Sequence, residues 1–111
     1  MKVAVIGSRS ITTANIGDYL PEKTTEIASG GAKSGVDVLA KKYAHEHGIE
    51  YTEFLPEYEK YKRGAPLKRN ETIVNYSDFI VAIYDGSSKG TRYVIDYAKK
   101  VGKPCEVHVI M

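Results

Sequence analysis

The run Phe79-Ile80-Val81-Ala82-Ile83-Tyr84 is apolar without alternation and stops at Asp85-Gly86. A segment that short and that uniformly apolar must be covered on both faces, as strands are in a parallel sheet packed between helices. Val3 to Ile6 repeats the pattern and runs into Gly7-Ser8. Thr24 to Ala28, partly β-branched, ends at Ser29-Gly30-Gly31. Ile49 to Leu55 stops at Pro56, and Cys105 to Met111 follows the turn Gly102-Lys103-Pro104.

Helical spacing fills the intervals. Val36, Leu39, Ala40, Tyr43 and Ala44 form an i, i+3, i+4, i+7, i+8 stripe that Gly48 closes. Leu67, Ile73, Val74 and Tyr76 predict a second helix from about Pro66 to Tyr76, with Pro66 in its first turn. Tyr93, Val94, Tyr97, Ala98 and Val101 predict a third, ended by Gly102, and a short helix is expected over Asn15 to Leu20. Glu57 to Ala65 is the least regular stretch and reads as an exposed loop. Strands alternating with helices predict α/β architecture: a single Rossmann-like domain over 1–111, with about five mostly parallel strands and helices on both faces.

With 111 residues, 42% hydrophobic and 27% charged, the chain has an ordinary globular balance. A formal net charge of +2 does not by itself demand a polyanionic partner. Cys105, the sole cysteine, excludes an internal disulfide, fits a reducing compartment and reads as a small core residue in the last strand. No leader pattern is visible and no apolar run nears the ~20 residues that span a bilayer, so a cytoplasmic protein with no membrane partner is expected.

In open parallel sheets, ligands gather at the carboxyl ends of the strands. The unusual residues fall there: Gly7-Ser8-Arg9-Ser10 after the first strand, Ser29-Gly30-Gly31-Ala32-Lys33-Ser34-Gly35 after the second, and Asp85-Gly86-Ser87-Ser88-Lys89-Gly90-Thr91 after the fourth. Glycines, hydroxyls and free N–H groups before a helix bind anions, phosphate above all, and Arg9, Lys33 and Lys89 add charge. The alternative for each turn is a plain tight connection. None matches a Walker A loop or a G-x-G-x-x-G fingerprint.

Arg69-Asn70 is expected in the first turn of its helix, at the same edge of the sheet. Asp37, just past Gly35, reads either as a helix cap or as a ribose ligand. Asp85 reads as a ribose ligand or a turn opener. Tyr58-Glu59-Lys60-Tyr61-Lys62-Arg63 interleaves tyrosines with basic residues, a solvated loop or a nucleic-acid contact. His45 and His47 lack metal-ligand spacing, and no Cys/His cluster supports zinc.

Taken together, Gly7-Ser8-Arg9, the Ser29 to Asp37 turn, Arg69-Asn70 and Asp85 to Thr91 resemble the SLOG superfamily, specifically its YspA/YpsA-related branch. Three related families imply different functions. The DNA-processing protein A (DprA/Smf) family, with a similar Gly-Ser-Arg start and Arg-Asn, implies single-stranded DNA binding. The LOG phosphoribohydrolases, whose Gly-rich turn looks like Gly86 to Thr91, and the nucleoside 2-deoxyribosyltransferases imply chemistry at an N-glycosidic carbon. Both enzyme families place an essential glutamate about three residues after the Gly-Thr pair. Val94 stands at that position here and has no proton or nucleophile to offer. Asp96, two residues on, points about 200° away on a helix.

The expectation is therefore a domain that binds a nucleotide or nucleotide-derived phosphate (AMP, ADP-ribose or NAD type), possible also as a homo-oligomer, without that glutamate chemistry. Gly7, Ser8 and Arg9 would line the pocket. Gly30, Gly31, Lys33 and Gly35 would approach a phosphate, Arg69 and Asn70 would bind it, and Gly86, Ser88, Gly90 and Thr91 would form a second anion cradle. The rivals are an N-glycosidase using Asp85 or Asp37 as its acid, and single-stranded DNA binding.

Overall fold

A computed structural model describes residues 1–110. Its one sheet contains β1 (Lys2–Gly7), β2 (Glu26–Ser29), β3 (Glu50–Glu53), β4 (Phe79–Tyr84) and β5 (Cys105–Val109), in the order β3-β2-β1-β4-β5. Every pairing is parallel. The helices are α1 (Val36–Glu46), α2 (Tyr58–Tyr61), α3 (Ala65–Tyr76) and α4 (Lys89–Val101), with 3-10 turns at Ile16–Tyr19 and Lys62–Gly64.

Period-two geometry divides β1 between two cores. Val3 and Val5 pack with Val36, Ala40 and Ala44 of α1 and with Ile11 and Ile16. Ala4 and Ile6 pack on the opposite face with Ile73 and Val74 of α3 and Val94 and Ala98 of α4. Both central strands, β1 and β4, are fully sandwiched, which is why their sequences are apolar at successive positions. The expected α/β domain with helices on both faces is what the chain adopts.

Some boundaries differ from the sequence reading. β2 begins at Glu26 rather than Thr24, and β3 covers Glu50–Glu53. β5 ends at Val109, and Met111 of the expected strand lies outside the described residues. The stretch read as a loop, Glu57 to Ala65, instead holds α2 and a 3-10 turn. Neither buries a residue, so neither carries the apolar period by which a helix is recognised in sequence. α4 begins at Lys89, four residues before its first apolar stripe residue, because Ser88 caps it by accepting from Thr91 N–H. Cys105 is half-buried against the α3–α4 core. No helix among the described residues is long and apolar enough to cross a membrane.

Candidate functional site

The strand order places the carboxyl ends of β1 and β4 side by side, with α1 on one face and α3 and α4 on the other. This is the switch point at which an open α/β sheet leaves a crevice. A cleft of about 370 Å³ opens there. Of the expected residues, Gly7, Arg9, Gly30, Asp37, Arg69, Asn70, Asp85, Ser88, Gly90 and Thr91 line it. A second cleft of about 320 Å³ adjoins it, sharing Arg9, Ala32, Pro66 and Arg69 and adding Gly31, Lys33 and Tyr58.

The turn after β2 is folded by Asp37. Its Oδ1 accepts from Ser29 Oγ at 2.9 Å and its Oδ2 from Ala32 N at 3.0 Å. The expected capping role does not hold: Gly35 is the residue preceding α1, no side chain caps the helix, and Asp37 is its second residue. The carboxylate turns back to occupy a loop N–H that an incoming anion would otherwise take. Gly35, at φ +80°, is required by packing, since a Cβ there would lie 2.5 Å from Ser8 O. Gly7 is similar: a Cβ would lie 2.5 Å from Ile83 O and against Val36. These two glycines bring helix and strand together.

Arg69 lies in the second turn of α3 rather than the first, because the helix starts at Ala65 and carries Pro66 in its opening turn. Its Nη1 donates to Gly30 O and to Phe54 O (3.1 Å), and its Nε donates to Asn70 Oδ1 (2.8 Å). Burial lowers its pKa, while the neighbouring Asp37 charge acts the other way. The guanidinium therefore ties together the ends of β2 and β3, a task no sequence signal announced. Its Nη2 and the Asn70 amide nitrogen make no hydrogen bond among the described residues.

Asp85 closes the third turn. It accepts from Ser10 Oγ at 2.6 Å and from the N–H groups of Ser87 and Ser88, each at 2.9 Å. The Ser10 hydroxyl, and then these two amides, hold its carboxyl well below the usual carboxylate range. It is the turn opener among the sequence alternatives, and it stays ionised at neutral pH, a poor state for a general acid. Gly86 supplies the positive φ (+89°) of the same turn and lies outside both clefts.

Ser8, expected in the lining, is wholly buried; its Oγ accepts from Asp85 N at 3.1 Å, joining the first and third turns from beneath. At the α4 N-terminus, Ser88 accepts from Thr91 N, whereas the N–H groups of Lys89 and Gly90 have no partner among the described residues. A Cβ at Gly90 would meet nothing within 4 Å. Sequence reasoning missed the Ser10 link and the place of Leu67, which it used only to predict the helix. Leu67 is 43% exposed and, with Ile6 and Pro66, gives the cleft an apolar wall.

Val94 is fully buried in the α3–α4 core, and Asp96 is exposed and paired with Arg92 at 3.2 Å. Neither lines the cleft. Tyr61, in the basic stretch, is covered by Lys60 and Lys68, whereas Tyr58 is exposed beside the second cleft.

No protein-family model matches the chain. An uncharacterised SPbeta prophage-derived protein of Bacillus subtilis, YoqJ, is 58% identical over 33 residues. That match covers 30% of this chain and 19% of the relative, so the chain spans about a fifth of the length of the curated protein it matches. No solved structure matches.

Proposed function

We propose that the switch-point cleft binds a nucleotide or nucleotide-derived ligand through its phosphate. The observation that carries this reading is the set of unused donors around the cleft. The Lys89 and Gly90 N–H groups open α4, where the helix dipole favours an anion, and Gly90 leaves the approach to them clear. Arg9 lines both clefts, and Arg69 and Asn70 line the first. Ile6, Pro66 and Leu67 add an apolar wall, suited to the flat face of a base.

Asp37 takes the Ala32 N–H of the second turn and Asp85 the Ser87 and Ser88 N–H groups of the third, so the phosphate is assigned to the Lys89 and Gly90 N–H groups, where the helix dipole adds to them. The resemblance to SLOG-type domains supports the same ligand class. The absence of a carboxylate at Val94 favours binding, as in a sensor, over N-glycosidic cleavage. The test is thermal denaturation with AMP, ADP-ribose and NAD. At 100 times Kd a ligand adds about 2.7 kcal/mol of apparent stability, a readily measured rise in Tm. Arg9→Ala should remove most of that rise without lowering the Tm of the free protein. No rise with any of the three ligands would overturn the proposal, and release of free base would replace it with the glycosidase reading.

A further inference from the structure

The sheet has two open edges, β3 and β5, and they are built differently. β3 reads Glu50-Tyr51-Thr52-Glu53, an acid at each end with both exposed, so pairing it about its centre with a second copy would oppose Glu50 and Glu53. Such charges guard an edge. β5 reads Cys105-Glu106-Val107-His108-Val109, with one acid beside its centre and none at its ends.

The backbone of β5 fixes which groups face outward. Pro104 O accepts from Ile80 N and Ile110 N donates to Tyr84 O, so the even-numbered residues turn their N–H and C=O toward β4. Along a strand these alternate, leaving those of Cys105, Val107 and Val109 directed away from the sheet. Val107 and Val109 are also 40% and 56% exposed, and Val101 of the adjoining α4 is 44% exposed.

The geometry points to β5 as the interface with a second copy of this chain, the two strands pairing antiparallel about a two-fold axis at Val107. The register follows from charge. Outward groups require odd residues to pair with odd, which allows Val107 opposite Val107 with Cys105 opposite Val109. In that register Glu106 of each copy stands opposite His108 of the other, in the closer, non-hydrogen-bonded type of pair. Shifting by two residues in one direction opposes Glu106 to Glu106, and in the other His108 to His108. Only the central register is self-complementary.

His108 supplies a second reason. Its Nε2 is buried and makes no hydrogen bond, although Glu106 Oε1 of its own strand lies 2.6 Å away, out of line for a ring N–H. The rest of the imidazole is open, with 28% of the side chain exposed, and the two-fold pairing brings a second carboxylate to it across the strands. The valines on the other face meet in the same arrangement, so one pairing joins backbone, charge and apolar surface.

Sedimentation velocity on the whole chain over a concentration series tests this. The wild type should show a reversible dimer. Val107→Pro removes an outward N–H without touching the β4 ladder and should leave a monomer with native circular dichroism. E106K removes the carboxylate that faces His108 and H108E sets two carboxylates opposite one another, so each should weaken the dimer about tenfold or more, and the double variant should recover most of the loss. A monomeric wild type overturns the proposal, as does a dimer that both single charge variants leave intact. If Val107→Pro misfolds, the charge series decides alone.

Discussion

Gly7 and Gly90 both look, in sequence, like residues that let a phosphate approach the backbone, and the structure separates them by what surrounds each. At Gly7 a Cβ would sit 2.5 Å from Ile83 O and 2.6 Å from Val36 Cβ. Ile83 O is a fixed acceptor, taking the Ser8 N–H at 3.1 Å, and Val36 is fully buried in the first turn of α1. Neither can swing aside as the end of a long side chain would, so α1 must shift off β1. Overpacking of this kind costs ~1–3 kcal/mol, and two rigid neighbours place Gly7→Ala in the upper half.

Alanine recovers ~0.4–1 kcal/mol by restricting the unfolded chain. The net expectation is a loss of ~1–2.6 kcal/mol, or about 4–11 °C in Tm. Gly90→Ala meets nothing within 4 Å and lies in a helix, so only the unfolded-state gain remains and its Tm should rise by a few degrees. The same methyl stands over the free N–H groups of α4, so that variant should bind AMP-type ligands more weakly than wild type. Urea and thermal denaturation of the two variants measure the contrast. A Gly7→Ala protein as stable as wild type would refute the packing argument.

Two further substitutions probe the acids that pin the turns. Asp37→Asn keeps the shape but removes the charge beside Arg69 and replaces a charged acceptor of the Ala32 N–H by a neutral one, so urea unfolding should show a loss of ~1–3 kcal/mol; a change below ~0.5 kcal/mol would contradict the pinning role. For Asp85, the folded-state pKa lies below that of an unfolded aspartate, ~3.9. Its contribution to stability is therefore present above about pH 4 and lost as pH falls toward the folded-state pKa. The difference in urea midpoint between wild type and Asp85→Asn should shrink steadily from about pH 5 downward. A difference independent of pH would show that the Ser10, Ser87 and Ser88 hydrogen bonds do not favour the ionised form.

The α/β class and the positions of β1, β4 and α1 are legible in the sequence, because a strand covered on both faces must be apolar at successive residues, as Val3–Ile6 and Phe79–Tyr84 are. The sequence also located the three turns, since strand ends followed by glycine and serine admit little else. It did not reveal α2, a short exposed helix with no buried face to impose a period. Nor could it separate the glycines: Gly7 and Gly35 differ from Gly90 in what lies beside them, and Gly35 also in its positive φ, and those neighbours come from other parts of the chain.

Asp37, Ser8 and Arg69 were legible as polar residues near the cleft, but their partners are Ser29, Asp85, Gly30 and Phe54, contacts that exist only once the sheet is assembled. The parallel order β3-β2-β1-β4-β5 is what brings β1 and β4 together at the switch point and leaves β3 and β5 as edges. Strand order is a long-range property, set by which apolar faces α1, α3 and α4 cover, and no local pattern encodes it.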